Sequence, residues 1–334
     1  MHLRKLCLAA PLVLALSACG ESSASGALPP ESFSDVPTPN AQALTSSVIK
    51  YVFVIAMENH ASTQIYGSAD APYINNTLMA QYGHATNYVD NLAASLPSEP
   101  HYIWMQAGTN AFSDYTFTND NNPATTNSTS STAHLSTQIR NATNGVTWLS
   151  YQEGLNSTTG TCPISGSGFY KPKHDPFVYF QDVSGATPSK TNAYCTSHHK
   201  ALTSLAADLS AKTVANYNFI TPNLCNDMHG ATGCTDTNYV HAGDVWLQAN
   251  LPALISFANA NSGVIFIVWD EPETSGTMPF LVIGPNVKAN YANAVTLSHS
   301  SLLKSTEQIL GLPLLPTASS ANDFSGFFNA GTYP

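Results

Sequence analysis

The chain has 334 residues, of which only 10% are charged, against roughly 25% in an average soluble protein. Arg4 and Lys5 fall within the first twenty residues, so the remainder sets nine basic groups against 21 acidic ones, a formal charge of about −12. Arg140 and eight scattered lysines cannot form a basic patch, which excludes nucleic-acid binding by phosphate neutralisation, and collagen, coiled-coil and polytopic membrane classes fall with it.

At the N-terminus, Arg4 and Lys5 precede an apolar run over residues 6–16. It is too short for a stable membrane anchor and has the length of a signal-peptide core. A removable signal is therefore expected over 1–18. The run ends in Leu16-Ser17-Ala18-Cys19-Gly20, which looks like the lipobox of bacterial lipoproteins. On that reading a lipid on Cys19 is the one membrane contact, and the protein sits anchored in the periplasm or at the cell surface. Ordinary secretory cleavage after Ala18 is the alternative. Residues 19–47, rich in Ser, Pro, Ala and Gly, read as a flexible tether, and 48–334 as a single domain. Setting aside Cys7 and Cys19 leaves Cys162, Cys195, Cys225 and Cys234, an even number suited to an oxidising compartment. Of the three pairings, 162–195 and 225–234 close local loops and are expected. A four-cysteine zinc site competes, but the C-x-x-C spacing such sites use is missing.

Four short apolar runs close on polar residues. Residues 51–57 (YVFVIAM) lead into Glu58-Asn59-His60, 216–220 into Thr221-Pro222-Asn223, 263–269 into Asp270-Glu271, and 279–283 into Gly284-Pro285. Continuous apolar strands of this kind are buried on both faces, as in a mostly parallel sheet covered by helices. Residues 241–261 and 300–310 carry helical periodicity, the second with a serine N-cap and Gly311 just past its end. Alternating strands and helices predict a layered α/β/α sandwich. Residues 113–136, rich in Asn, Thr and Ser, read as a long surface loop or insertion.

Ligands in open α/β sheets bind beyond the carboxyl ends of the strands, where Glu58, Asn59, Asp270 and Glu271 fall. Four oxygen donors at two strand ends suit one hard divalent cation, calcium, magnesium or manganese rather than zinc. The plain alternative is carboxylates that solvate loop mouths. An acidic chain that handles an anionic substrate without arginines would need such a cation to offset repulsion. Ser98, in Pro97-Ser98-Glu99-Pro100, stands at the start of a helix, where a serine can cap the helix or attack a phosphate held against free backbone N–H groups. His174 and His229 lie in polar loops, where an imidazole can contact a phosphoryl oxygen or protonate a leaving group. His84, His134, His198, His199 and His299 are expected at the surface or in supporting positions.

Together these residues resemble the bacterial phosphoesterase family of acid phosphatases and phospholipases C, a branch of the alkaline-phosphatase-like hydrolases, over residues 48–328. The resemblance is carried by Met57-Glu58-Asn59-His60 with Tyr66-Gly67 and Ala71-Pro72-Tyr73-Ile74-Asn75, and by Pro97-Ser98-Glu99-Pro100-His101-Tyr102 with Gly108. It continues through Lys173-His174-Asp175-Pro176-Phe177, Thr221-Pro222-Asn223 with Asp227-Met228-His229, Gly243-Asp244-Val245-Trp246-Leu247, Trp269-Asp270-Glu271 and His299-Ser300-Ser301-Leu302-Leu303, in the family's order. The resemblance implies an alkaline-phosphatase-like fold, a single metal held by Glu58, Asn59, Asp270 and Glu271, and Ser98 as a metal-activated nucleophile that is transiently phosphorylated. It further implies that His174 and His229 contact the phosphoryl group or the leaving oxygen, which favours an acidic optimum, and it places His101, Asn223 and Asp227 among the substrate contacts. Three departures stand out: His101 where the family often has Asn, Gly230 where it has an acid, and a short link after Glu271. Gly230 and the short link favour an acid phosphatase acting on small phosphorylated monoesters over a phospholipase C or other phosphodiesterase, and His101 and Gly230 leave a non-catalytic binding lipoprotein as a third reading. A sulfatase is disfavoured because no Cys-x-Pro-x-Arg segment is present.

Overall fold

The computed structural model describes residues 48–93, 95–155 and 160–334, which fall within one compact unit. The expected signal, the tether and Cys19 lie outside the described residues. The apolar runs become the middle of one eight-stranded sheet. Its strands are β1 (Tyr51–Met57), β2 (Gly83–Ala85), β3 (Trp148–Gln152), β4 (His199–Ala201), β5 (Tyr217–Thr221), β6 (Gly263–Trp269), β7 (Phe280–Ile283) and β8 (Tyr291–Asn293). The order is β4-β3-β5-β1-β6-β7-β2-β8, and only β7 runs antiparallel to its neighbours.

Side chains alternate across the two faces of the sheet. Tyr51 and Phe53 meet Phe257 of the Tyr239–Asn261 helix edge-on at 5.1 and 5.8 Å. On the opposite face Phe219 of β5 meets Tyr102 of the Ser98–Ala107 helix at 6.2 Å. Helices therefore cover both faces, as an α/β/α sandwich requires. Every residue of β5, β6 and β7 is buried, which explains why these strands read as unbroken apolar runs.

Capping chemistry sets the helix ends. The Tyr239–Asn261 helix starts two residues before the periodic pattern because the side chain of Asn238 accepts the His241 N–H. The last long helix is His299–Leu310. Its N-cap is Ser298, which makes a reciprocal bond with Ser301, and Gly311 closes it at φ 65°. Cys162–Cys195 and Cys225–Cys234 are the disulfides formed, so these four cysteines do not make a zinc site.

Residues 113–136 are largely exposed and irregular up to the helix that begins at Leu135, as expected of a surface loop, but they are pinned to the core: Phe117 and Thr129 are fully buried and Asn127 nearly so. The segment lacks periodicity because side chains, instead of a ladder, satisfy its backbone: Asp114 accepts from Thr129 Oγ1 and Ser130 N, and Glu99 from Asn121 N. His134, His199 and His299 are likewise buried within hydrogen-bond networks. No helix among the described residues is long and apolar enough to cross a membrane.

Candidate active site

Parallel pairing assembles the site. β1 and β6 are in register from Tyr51↔Gly263 to Met57↔Trp269, so Glu58 and Asp270 leave adjacent strand ends together. The turn after β5 returns Asp227 to the same place, where its carbonyl accepts the Glu58 N–H at 2.8 Å. Asn223 builds that turn: its Oδ1 accepts the Cys225 N–H and its carbonyl accepts the N–H groups of Asn226 and Asp227. Gly230 follows at φ 79°, and a Cβ there would come within 2.1 Å of the Tyr239 ring. A glycine therefore stands where the family often has an acid, since any side chain would force the ring to move.

Ser98 is the first helical residue after a Pro97 N-cap that makes no side-chain capping bond. Its hydroxyl does not cap the helix; it donates to Glu58 Oε2 at 3.1 Å. The Pro172–His174 turn places His174 Nε2 3.1 Å from Glu58 Oε1 and Nδ1 3.4 Å from Asp227 Oδ2. These contacts look like ion pairs, yet Glu58 Oε1, His174 Nε2 and Asp227 Oδ2 all lack a hydrogen-bonding partner. Burial, followed by the charge of Lys173, holds the His174 imidazole well below its ordinary pKa and therefore neutral. Tyr102 stacks on the ring at 5.1 Å and fixes its plane.

Asn59 sits at φ 44° and donates its N–H to Asp270 Oδ1 at 2.9 Å. Asp270 Oδ2 and Asn59 Oδ1 are also buried without partners. Burial, then the neighbouring Glu58, pushes the Asp227 and Asp270 carboxyls well above the usual carboxylate range. Native structures rarely leave buried polar atoms unpaired, and five here converge at one sheet edge: four oxygens and an imidazole nitrogen. Glu58, His174 and Asp227 offer ligand atoms within 4.8 Å of one another, so the donor set fits a divalent cation.

Other expected site residues divide differently. Glu271 turns towards His101, with Oε2 3.8 Å from Nε2, and burial pushes its carboxyl up to about 7. His101 is fully buried, its Nδ1 3.1 Å from Asp90 and its Nε2 3.3 Å from the Leu96 carbonyl. Burial lowers its pKa, but Asp90, Glu271 and the Leu96 carbonyl together more than compensate. His299 donates to the Asp270 carbonyl at 2.6 Å and contacts the Tyr88 hydroxyl at 3.1 Å, bracing the strand end from behind. His229 donates Nδ1–H to the Gly230 carbonyl at 2.7 Å, which leaves Nε2 as its free nitrogen; its ring lies 6.0 Å from that of His174.

Two neighbours of Ser98 escaped the sequence reading. Lys173 Nζ donates to Ser98 Oγ at 3.4 Å and to Asp120 Oδ2 at 2.7 Å. Asp120 lies in the segment read as an insertion, where composition carried no signal. Lys173 adjoins His174 within a recognisable motif and could have been found there.

A mostly parallel sheet covered by helices on both faces, with Glu58, Asp270 and Ser98 brought together at its carboxyl edge, is the fold of the alkaline phosphatase superfamily. A protein of that superfamily from Vibrio parahaemolyticus superposes with a TM-score of 0.50 at 10% identity, covering 81% of this chain and 69% of its own. Murine ectonucleotide pyrophosphatase/phosphodiesterase 5 superposes at 0.51 and 11% identity, over 80% and 96%. The chain belongs to the Phosphoesterase family, whose model matches residues 73–313, and it is a phosphoric ester hydrolase. It is 26% identical to a phosphatidylinositol-3-phosphatase of Mycobacterium tuberculosis over 86% of this chain and 85% of that protein. It is 29% identical to a phosphate-repressible acid phosphatase of Penicillium chrysogenum over 69% of this chain, a match that spans about half of the fungal protein (52%).

Proposed function

We infer that the protein is an acid phosphatase that hydrolyses small phosphate monoesters through a phosphoserine on Ser98. The observation that carries this reading is the Ser98 hydroxyl, set on Glu58 at the start of a helix and beside five unpartnered buried ligand atoms. Glu58, Asn59 and Asp270, with His174 and Asp227 at the same edge, are the residues that would hold a divalent cation, and Glu271 supports them from the His101 side. Such a cation lowers the pKa of a nearby hydroxyl and offsets the charge of a phosphoryl group.

The chain's own residues supply the rest. Glu58 Oε2 orients the Ser98 hydroxyl for in-line attack and takes its proton as the Ser98 Oγ–P bond forms and the bond to the leaving oxygen breaks. His229, its Nδ1–H held by the Gly230 carbonyl, presents Nε2; as the imidazolium, with a proton on each ring nitrogen, it passes the Nε2 proton to that oxygen. Water then cleaves the phosphoserine, restoring the hydroxyl and releasing orthophosphate. The phosphatase relatives favour a monoester over a diester substrate. A removable signal over 1–18 and a lipid on Cys19 would put the single domain over 48–334 outside the cytoplasm, and the two disulfides support that reading.

The test is hydrolysis of p-nitrophenyl phosphate and of its bis-ester across pH 4 to 9, before and after chelation, for wild type and Ser98→Ala. The reading expects chelator-sensitive monoester turnover with an acidic optimum, a phosphoserine trapped at Ser98 by acid quench, and a loss of about 10⁴-fold or more in Ser98→Ala. Near-normal turnover by a folded Ser98→Ala protein would remove Ser98 from the mechanism.

A further inference from the structure

A phosphate monoester entering this site meets the carboxylates of Glu58, Asp227 and Asp270. Among the described residues, Lys173 is the only Lys or Arg hydrogen-bonded to Ser98 or to one of those carboxylates. It shares a turn with His174, so one short element sends the imidazole into the ligand cluster and the ammonium over the serine. Lys173 has three donors: one is held by Asp120 at 2.7 Å, and another makes only a long 3.4 Å contact with Ser98 Oγ. A phosphoryl oxygen could take up the second donor with little loss, since 3.4 Å is weak for an N–H···O bond.

Asp120 is anchored on both sides. Its Oδ1 accepts the Glu99 N–H at 3.0 Å, a first-turn amide of the helix that begins at Ser98. The Glu99 carboxylate in turn accepts from Asn121 N at 2.8 Å and Asn127 Nδ2 at 3.0 Å, and Tyr179 donates to the Asn121 carbonyl at 2.7 Å. Segment, helix start and lysine therefore form one fixed unit. The ion pair with Asp120 at 2.7 Å holds the Lys173 ammonium in this position.

We propose that Lys173 is a further catalytic residue, its ammonium holding a non-bridging oxygen of the phosphoryl group during binding and transfer to Ser98, with Asp120 as the positioning residue that keeps it there. This role rests on the Ser98 reading above. Lys173 keeps its protons throughout and accompanies the charge as the Ser98 Oγ–P bond forms and the bond to the leaving oxygen breaks. Its charge also selects a dianionic monoester over a monoanionic diester.

The full chain is compared as wild type, Lys173→Met, Lys173→Arg and Asp120→Asn. Inorganic phosphate is titrated by calorimetry, p-nitrophenyl phosphate hydrolysis is followed at steady state, and melting temperature reports folding. Lys173→Met should weaken phosphate binding about tenfold or more and lower monoester kcat/KM by about 10²- to 10³-fold. Lys173→Arg should recover part of both, and Asp120→Asn should raise KM more than it lowers kcat. Phosphate affinity and kcat/KM unchanged from wild type in a folded Lys173→Met protein would overturn the proposal. If the wild type binds phosphate but hydrolyses no ester, the Ser98 reading fails, while the phosphate affinities still decide the role of Lys173.

Discussion

Replacing Glu58 with Gln should stabilise the cation-free protein while abolishing its stabilisation by divalent cations. Ligand atoms of Glu58 and Asp227 lie within 4.8 Å of each other. Two carboxylate charges at that separation repel by about 3.5 kcal/mol at an effective dielectric constant of about 20. The fold can instead keep Asp227 protonated, in line with its raised pKa. Holding a carboxyl of ordinary pKa near 3.9 in that form at pH 7 costs about 4 kcal/mol, at about 1.4 kcal/mol per pH unit. Either way, about 3 to 4 kcal/mol of stability is withheld. The Glu58→Gln side chain keeps the shape and an acceptor for Ser98 but adds an amide donor among acceptors, so the net gain is expected at about 2 kcal/mol, or roughly 4 °C in Tm for a chain of this size. Wild type should gain about 2.7 kcal/mol from a cation at a hundred times its Kd, and the variant far less. The assay is a calorimetric melt in chelator and again in millimolar magnesium, manganese, calcium or zinc, with the order of the two melting temperatures inverting between conditions. A variant that melts below wild type in chelator, or that rises with added cation as much as wild type does, would refute the reasoning.

Away from the site, Glu307 is buried with Oε1 accepting the Leu315 N–H at 2.9 Å and Oε2 unpartnered, and burial pushes its pKa up to about 7. A folded-state pKa above the unfolded value gives stability at low pH that is lost as pH rises through about 7. Glu307→Gln should therefore leave urea stability unchanged near pH 4 and raise it by up to about 3 kcal/mol at pH 9; a gain independent of pH would show that charge is not the cause. Replacing Cys162 and Cys195 by Ser opens a loop of sequence separation 33 and should cost about 3 to 4 kcal/mol in equilibrium unfolding. Loss of Cys225–Cys234, separation 9, should cost about 2 to 3 kcal/mol. Because that loop carries Asp227 and His229, turnover should fall at temperatures where circular dichroism still reports a folded protein.

What composition and periodicity determined is the frame: buried strands over 51–57 and 263–269, two long helices, the local disulfides, and polar residues placed at strand ends. These are local properties, set by side-chain hydrophobicity and capping chemistry along a few residues at a time, so they can be read without knowing the neighbours. Ser98 shows where that reading stops, since a serine at a helix start caps or attacks depending on what faces it, and Glu58 lies forty residues away. Glu271 and His101, placed by motif at the metal and the substrate, also face each other, while Asp227 and His174 meet Glu58 in a group of side chains that could hold a cation. Asp120 came from a segment whose composition promised only a loop. These roles were decided by the tertiary structure because they depend on charge and burial among groups that only strand register and long-range packing bring together. A carboxylate's partners, and hence its chemistry, belong to the assembled sheet edge and not to the residues beside it in the chain.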